Sequence, residues 1–225
     1  MTVNKLQRFE EVAEFDHVLE HTDFQDADEI KPKGIWKLDI FGNEHPIILE
    51  LACGTGAYTL ELARRNPHQN YIGIDIKGAR IWKGAKNAKA EDLGNVRFMR
   101  MFIDHLDEYF DRGEVDEIWI TFADPFSRAG DRKKRLTSPR FLKQYQQILE
   151  AGQPVHFKTD DTPFFDYTCR KVEQQGGTVV KKVEDIYSDS PKDDILTIKT
   201  TYEKKHLRAG KKISYCKFLL PKNKL

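Results

Sequence analysis

The stretch Pro46-Ile-Ile-Leu-Glu-Leu-Ala-Cys-Gly-Thr-Gly56 constrains this chain more than any other. Ile47, Ile48, Leu49, Leu51 and Ala52 form a short apolar run that closes on glycines. Such a run predicts a buried parallel strand ending in a tight turn. The residues that follow, 57–65, place Ala57, Leu60, Leu62 and Ala63 at helical spacing. Strand, glycine turn and helix make the opening unit of a nucleotide-binding α/β fold. Gly54 and Gly56 let backbone approach a ligand where a Cβ would collide.

Gly-x-Gly alone leaves two ligands open. A dinucleotide fold wants a third small residue three positions on, and that position holds Thr59. Glu50 says more. A carboxylate in an apolar strand is costly unless something binds it, and a pyrophosphate would be repelled by it. S-adenosylmethionine carries a sulfonium and an ammonium, so the pattern Glu-x-x-x-Gly-x-Gly favours that cofactor over NAD. The bland alternative is an ordinary turn beside a frayed Glu.

The 225 residues suffice for one α/β domain with a full core, and 39% hydrophobic with 32% charged residues argues against disorder. No apolar run approaches the roughly 20 residues of a membrane span, and the first ten residues do not read as a signal peptide. Cys53, Cys169 and Cys216 are scattered, without metal-type spacing or a disulfide framework, which fits a cytoplasmic setting. The net charge of +1 names no partner, but its distribution is uneven. Residues 10–29 carry nine acids and no Lys or Arg, whereas residues 199–225 carry nine Lys or Arg and one acid. That asymmetry suggests a basic face for a polyanion, against a solvated tail and an acidic helix.

The pattern predicts a helix over 4–20 with Leu6, Phe9, Val12, Ala13, Val18 and Leu19 inward, then an irregular segment to residue 45. Together they form an N-terminal arm (1–45) on a main domain (46–225). A second strand, 70–75, ends in Asp75, nineteen residues after Gly56. An acid there can take two hydrogen bonds from a ribose diol, or cap the helix that follows over 77–90. A third strand over 95–103 leads to Asp104, which would accept from an adenine amine or cap a short helix. A fourth, from Glu117, runs into Asp124-Pro125-Phe126. Pro125 holds Asp124 extended at a strand end, where ligands gather. Phe126 offers a π face to a base. Arg128-Ala-Gly-Asp-Arg-Lys-Lys-Arg135 carries five cations and one acid, suited to phosphates.

Further on, helices are expected at 138–149 and 163–175, and at the basic segment 204–208. Strands are expected at 154–158, 178–185 and 213–220, with 195–199 as a sheet extension. The fold class is therefore α/β: one Rossmann-like domain on a mostly parallel, seven-stranded sheet with an antiparallel edge strand and helices on both faces.

These motifs together resemble the bacterial single-chain tRNA (guanine-N7-)-methyltransferase family, of the class I S-adenosylmethionine-dependent type. The resemblance rests on Leu49–Gly56, Ile72–Asp75, Ala123-Asp-Pro-Phe126 with its basic continuation, Leu136-Thr-Ser-Pro139, Lys158-Thr-Asp160 and Thr200-Thr-Tyr-Glu203. It implies methyl transfer from S-adenosylmethionine to N7 of guanosine 46 in the tRNA variable loop, with no metal, no membrane and no protein partner required. It implies cofactor contacts by Glu50 (methionine end), Gly54, Gly56, Asp75 (ribose), Asp104 (adenine side, after a two-residue shift) and Asp124. Asp124 is also the residue credited with catalysis. Arg128, Arg132, Lys133, Lys134 and Arg135 are implied on the tRNA side. Asp160, Thr200 and Glu203 are implied at the guanine. The family's usual Pro-Asp-Pro-Trp and following Lys are here Ala-Asp-Pro-Phe and Arg128.

Overall fold

The structure, a computed structural model, describes residues 4–22, 31–188 and 194–222. It divides into two compact units, Met1–Phe110 and Asp111–Leu225.

In the first unit, helix α1 (Lys5–Ala13) opens with a reciprocal cap: Asn4 Oδ1 accepts from the Gln7 amide and Gln7 Oε1 from the Asn4 amide, both at 2.9 Å. The helix expected to reach residue 20 stops at Ala13. Val18–His21 instead forms strand β1, parallel to β4 (Val96–Met101) in register Val18↔Phe98. The apolar positions Val18 and Leu19 belong to that strand, while Leu6, expected inward, is 69% exposed. The cause is β-branched Val18 and the Phe98 amide, which bonds the His17 carbonyl at 2.9 Å. Within the segment expected to be irregular, Trp36–Ile40 forms a π-helical turn. Trp36 is fully buried, stacked on Phe110 at 5.1 Å. Residues 23–30 of that segment lie outside the described residues.

β2 (Ile47–Leu51), helix α2 (Ala57–Arg65), β3 (Asn70–Asp75) and helix α3 (Gly78–Ala90) follow as read from the sequence. A 3-10 turn (Ile103–His105) and the short α4 (Leu106–Tyr109) follow β4. The strand order β1-β4-β3-β2 is parallel throughout. Close packing comes from three glycines around one ring. A Cβ on Gly56, Gly73 or Gly84 would meet Phe98 at 2.5, 2.8 or 2.7 Å. The helix–strand contact that a third small residue at position 59 would provide is made here by Gly73 and Gly84.

The second unit holds β5 (Glu117–Thr121), a 3-10 helix (Ala129–Lys134), α5 (Pro139–Ile148), β6 (Pro154–Thr159), α6 (Thr162–Gln174), β7 (Thr178–Val183), α7 (Thr201–Arg208) and β8 (Ser214–Leu219). Its order is β5-β6-β8-β7. β5 and β6 are parallel, and β8 runs antiparallel to β6 and to the outermost β7. The described residues thus contain eight strands, and the addition to the expected seven is β1. The extension expected at 195–199 is not a strand: Asp194–Thr197 is a 3-10 turn, and the Leu196 and Ile198 carbonyls bond the Lys158 ammonium instead of a neighbouring strand. Gly176, at φ +77°, follows the Gln175 cap of α6 in the left-handed conformation that ends helices.

Candidate active site

In the first unit, two carboxylates sit at the C-terminal ends of neighbouring parallel strands. Glu50, on β2, is 3% exposed. Its Oε2 accepts from the Thr59 amide at 2.9 Å and from the Thr59 hydroxyl. Thr59 lies in the first turn of α2, where amides lack intrahelical partners and the helix dipole favours an anion. The charge in an apolar strand is thereby met by the next helix. Asp75, at the tip of β3, accepts from the Gly54 amide at 3.0 Å and the Lys77 amide at 2.8 Å. It does not cap α3, whose N-cap is Lys77. It ties the glycine turn to the end of β3.

The turn itself is unusual backbone. Ala52, Gly54 and Gly56 have φ of +58°, +59° and +65°. A Cβ on Gly54 would find no atom within 4 Å, so the turn opens onto free space there. Burial, with Glu50 and Asp75 nearby, pushes the Cys53 thiol well above its ordinary pKa, so it stays a neutral lining group. Acidic groups beside an open glycine turn suit a ligand that carries a cation and a vicinal diol. Asp104 lies in the 3-10 turn after β4 and is exposed; that turn's N-cap is Phe102.

In the second unit, β5 runs into a strained turn. Phe122 and Phe126, at φ +53° and +39°, bracket Asp124-Pro125. Non-glycine residues in this region cost about 1–3 kcal/mol each and persist only where surroundings hold them. Asp124 is exposed. The basic segment is a 3-10 helix that presents Arg128 (its N-cap), Arg132, Lys133 and Lys134 to solvent. Arg135 differs: it is 3% exposed and donates from Nε to the Pro125 carbonyl at 2.6 Å. The segment's end is pinned. Tyr145 donates to the Leu136 carbonyl at 2.7 Å, the Thr137 and Thr168 hydroxyls meet at 2.7 Å, and Ser138 Oγ donates to the Lys133 carbonyl at 3.0 Å. Ser138 occupies the N-cap position of α5 but makes no side-chain cap bond.

The same unit holds a buried ionic knot. Lys158 on β6 and Glu203 on α7 are both fully buried. The ammonium reaches Glu203 Oε1 at 2.8 Å and Oε2 at 2.9 Å, plus the carbonyls of Leu196 (2.6 Å) and Ile198 (3.2 Å). The Tyr187 hydroxyl donates to Glu203 Oε1 at 2.7 Å. Burial lowers the Lys158 pKa against the opposing pull of Glu203. Burial, then Glu203, raises that of Tyr187. Thr200 caps α7 by accepting from the Glu203 amide at 3.1 Å. Asp160 Oδ2 is bound by Lys211 Nζ at 2.5 Å and lies 3.1 Å from His206 Nδ1; His206 stacks on Phe122.

Residues 44–216 match the model of a family described as "Putative methyltransferase". A protein of Christiangramia forsetii named tRNA (guanine-N(7)-)-methyltransferase is 44% identical over 96% of this chain and 97% of its own length. The chain belongs to the tRNA (guanine-N(7)-)-methyltransferase family. A Porphyromonas gingivalis protein of the same name is 47% identical over 83% of this chain and 76% of its own. Among solved structures, the 16S rRNA methyltransferase KamB superposes with a TM-score of 0.64 at 12% identity, covering 86% of this chain and 97% of that one. The likeness to KamB shows the fold: that of a methyltransferase.

For a member of this family, the sequence-derived site residues fall into distinct groups. Glu50, Gly54, Gly56 and Asp75 converge on one turn in the first unit. Asp124, Arg128, Arg132, Lys133 and Lys134 are exposed in the second, whereas Arg135 and Glu203 are enclosed and Thr200 is nearly so. Sequence reading did not single out Thr59 as the Glu50 donor, nor Lys158 or Tyr187 as partners of Glu203. Lys158 had one available signal, a cation directly after Val155-His-Phe157 in a strand buried along most of its length. Among the described residues no group of three or more His, Cys, Asp or Glu could hold a metal ion, and no helix is long and apolar enough to cross a membrane.

Proposed function

We propose that this protein is a cytoplasmic enzyme that transfers a methyl group from S-adenosylmethionine to N7 of guanosine 46 in the tRNA variable loop. The reading takes 46–225 as the catalytic domain and 1–45 as an arm, and requires no protein partner. One observation carries it: the Glu50–Asp75 glycine turn lies in a chain 44% identical, almost end to end, to a protein with that named activity.

The residues fit S-adenosylmethionine. Glu50, held by Thr59, would hold the cationic methionine end, and Asp75 would accept from the ribose hydroxyls. Gly54, open on its Cβ side, would leave room for the ligand, Gly56 would supply the left-handed turn packed on Phe98, and Asp104 would lie on the adenine side. When bound, the cofactor supplies a methyl already activated by its sulfonium.

Little acid–base work remains for the protein. Guanine N7 carries an available lone pair, so no residue must remove a proton to expose the nucleophile. Positioning is the main contribution, able to supply roughly 7–11 kcal/mol of barrier reduction. The guanine turns cationic as the bond forms. Asp124, exposed and held on a strained turn, stabilises that charge. Asp160 and the first turn of α7, with Thr200 and Glu203, form the guanine side. Glu203, bound by Lys158 and Tyr187, sets the position of that turn. Arg128, Arg132, Lys133 and Lys134 meet tRNA phosphates.

The test is incubation with labelled S-adenosylmethionine and unmodified tRNA, followed by chain cleavage at N7-methylguanine. One cleavage at position 46 is expected. Label without cleavage would discard the N7 assignment, and no label would discard tRNA as acceptor.

A further inference from the structure

We propose that Arg135, the last cation of the basic segment, is a positioning residue that locks the Asp124-Pro125-Phe126 turn and does not contact RNA. The proposal rests on the methyl-transfer reading above for what the turn does.

Four of the five cations in 128–135 are exposed and Arg135 alone is buried, at 3%. Its guanidinium lies over two rings of α6, 4.9 Å from the Phe164 centroid and 4.5 Å from that of Tyr167. Two aromatic contacts and near-complete burial set it apart from the exposed cations that could meet a phosphate. Its Nε–H is spent on the Pro125 carbonyl at 2.6 Å. Pro125 has no N–H, so the carbonyl is the one backbone group through which this residue can be tethered. That peptide joins Asp124-Pro125 to Phe126, whose φ of +39° needs external support. A cationic donor to a carbonyl is a strong tether, and the aromatic pair fixes its origin.

The downstream residues reinforce the reading. Leu136, Thr137 and Ser138 are 8%, 0% and 1% exposed and bonded to Tyr145, Thr168 and the Lys133 carbonyl. Arg135 thus begins the buried anchor of the segment; Arg132, Lys133 and Lys134 are its outer surface. Asp124 is displayed on a turn that α6 holds through one guanidinium. Here the charge pattern of the sequence misleads, because the four consecutive cations Arg132–Arg135 look alike until one of them turns inward.

The test compares Arg135→Met, which keeps an apolar stem on the rings and removes the donor, with Arg135→Lys, which restores a donor and a charge. Lys133→Ala is the surface reference. Turnover and tRNA KM are measured well below each Tm over a series of salt concentrations. Arg135→Met is expected to lower kcat by about 10- to 100-fold, the scale of an ångström-level misplacement, with the salt slope of tRNA affinity unchanged. Arg135→Lys should recover most of the loss. Lys133→Ala should instead raise KM and reduce the slope by about 0.7–0.9. An Arg135→Met variant that lowers the slope as Lys133→Ala does would make Arg135 a phosphate ligand. One with wild-type kcat would make it packing only. Amide exchange over residues 124–128 adds a readout independent of turnover: faster in Arg135→Met and restored in Arg135→Lys. Unchanged exchange would overturn the lock even if the wild-type chain left tRNA unmethylated, a result that would sink the function reading separately.

Discussion

Glu50 and Glu203 are both buried carboxylates, yet the two units neutralise them differently. Glu50 is met by an amide and a hydroxyl of the next helix turn, neutral donors that come with the fold. Glu203 is met by a full ammonium and a phenol, from β6 and from Tyr187. In the first arrangement the amide and hydroxyl donors bring no formal positive charge to the carboxylate's negative one. The second cancels it, and makes a fixed joint between α7 and β6. The Glu203 pairing is architecture, whereas we propose binding for Glu50, although both sit in family-like motifs.

The largest test of that contrast is Lys158→Met. It leaves Glu203 buried without its counter-charge and is expected to lower stability by about 3–5 kcal/mol in urea melts. Adding Glu203→Met should recover most of the loss. A single variant as stable as wild type would mean that the knot is open to water.

Asp124→Asn is next. It keeps the shape of the strained turn and removes the charge, so kcat should fall by about 100-fold, the scale of losing one preorganised transition-state group. Stability should be unchanged. Wild-type kcat would transfer the charge-stabilising role elsewhere.

Thr59→Val probes the neutral side of the contrast. One hydroxyl is lost from Glu50 while the amide stays, so the thermal-melt cost should be about 1.5–3 kcal/mol, below that of Lys158→Met. Equality of the two would erase the distinction between the carboxylates.

The last effect is read against pH and concerns His156, buried against Trp119 with ring centroids 4.0 Å apart. Burial, then Lys217 and Lys181, lowers its pKa from 6.5 to about 3. The unfolded chain binds the proton first, so stability contributed by the neutral ring is full above pH 6.5. It is lost as pH falls toward 3, at up to ~1.4 kcal/mol per pH unit. His156→Gln should flatten the fall seen in urea melts between pH 6 and 4 by that slope; an unaltered slope would mean that the imidazole titrates normally.

Strand–glycine–helix periodicity made β2, α2 and β3 legible, because burial on both faces writes itself as apolar runs. The segment 4–20 was less so. Val18 and Leu19 satisfy a helical spacing and a strand pairing equally well, and only the partner strand β4 decides. Residues 195–199 failed as a strand for a related reason: an apolar pair can bury its side chains while its carbonyls serve Lys158. At the site, residue types were readable but their pairings were not. Glu203 and Lys158 are 45 residues apart, and a sequence does not tell a carboxylate awaiting a ligand from one already matched by a distant cation.

The most direct test of the account is the calorimetric affinity of S-adenosylhomocysteine for wild type, Asp75→Asn and the double variant Lys133→Ala/Lys134→Ala. The account predicts about tenfold or greater weakening in Asp75→Asn, the scale of a charged hydrogen bond, and no change in the double variant. Wild-type affinity in folded Asp75→Asn, or weakened binding in the double variant, would contradict the assignment of the cofactor to the carboxylates of the glycine turn.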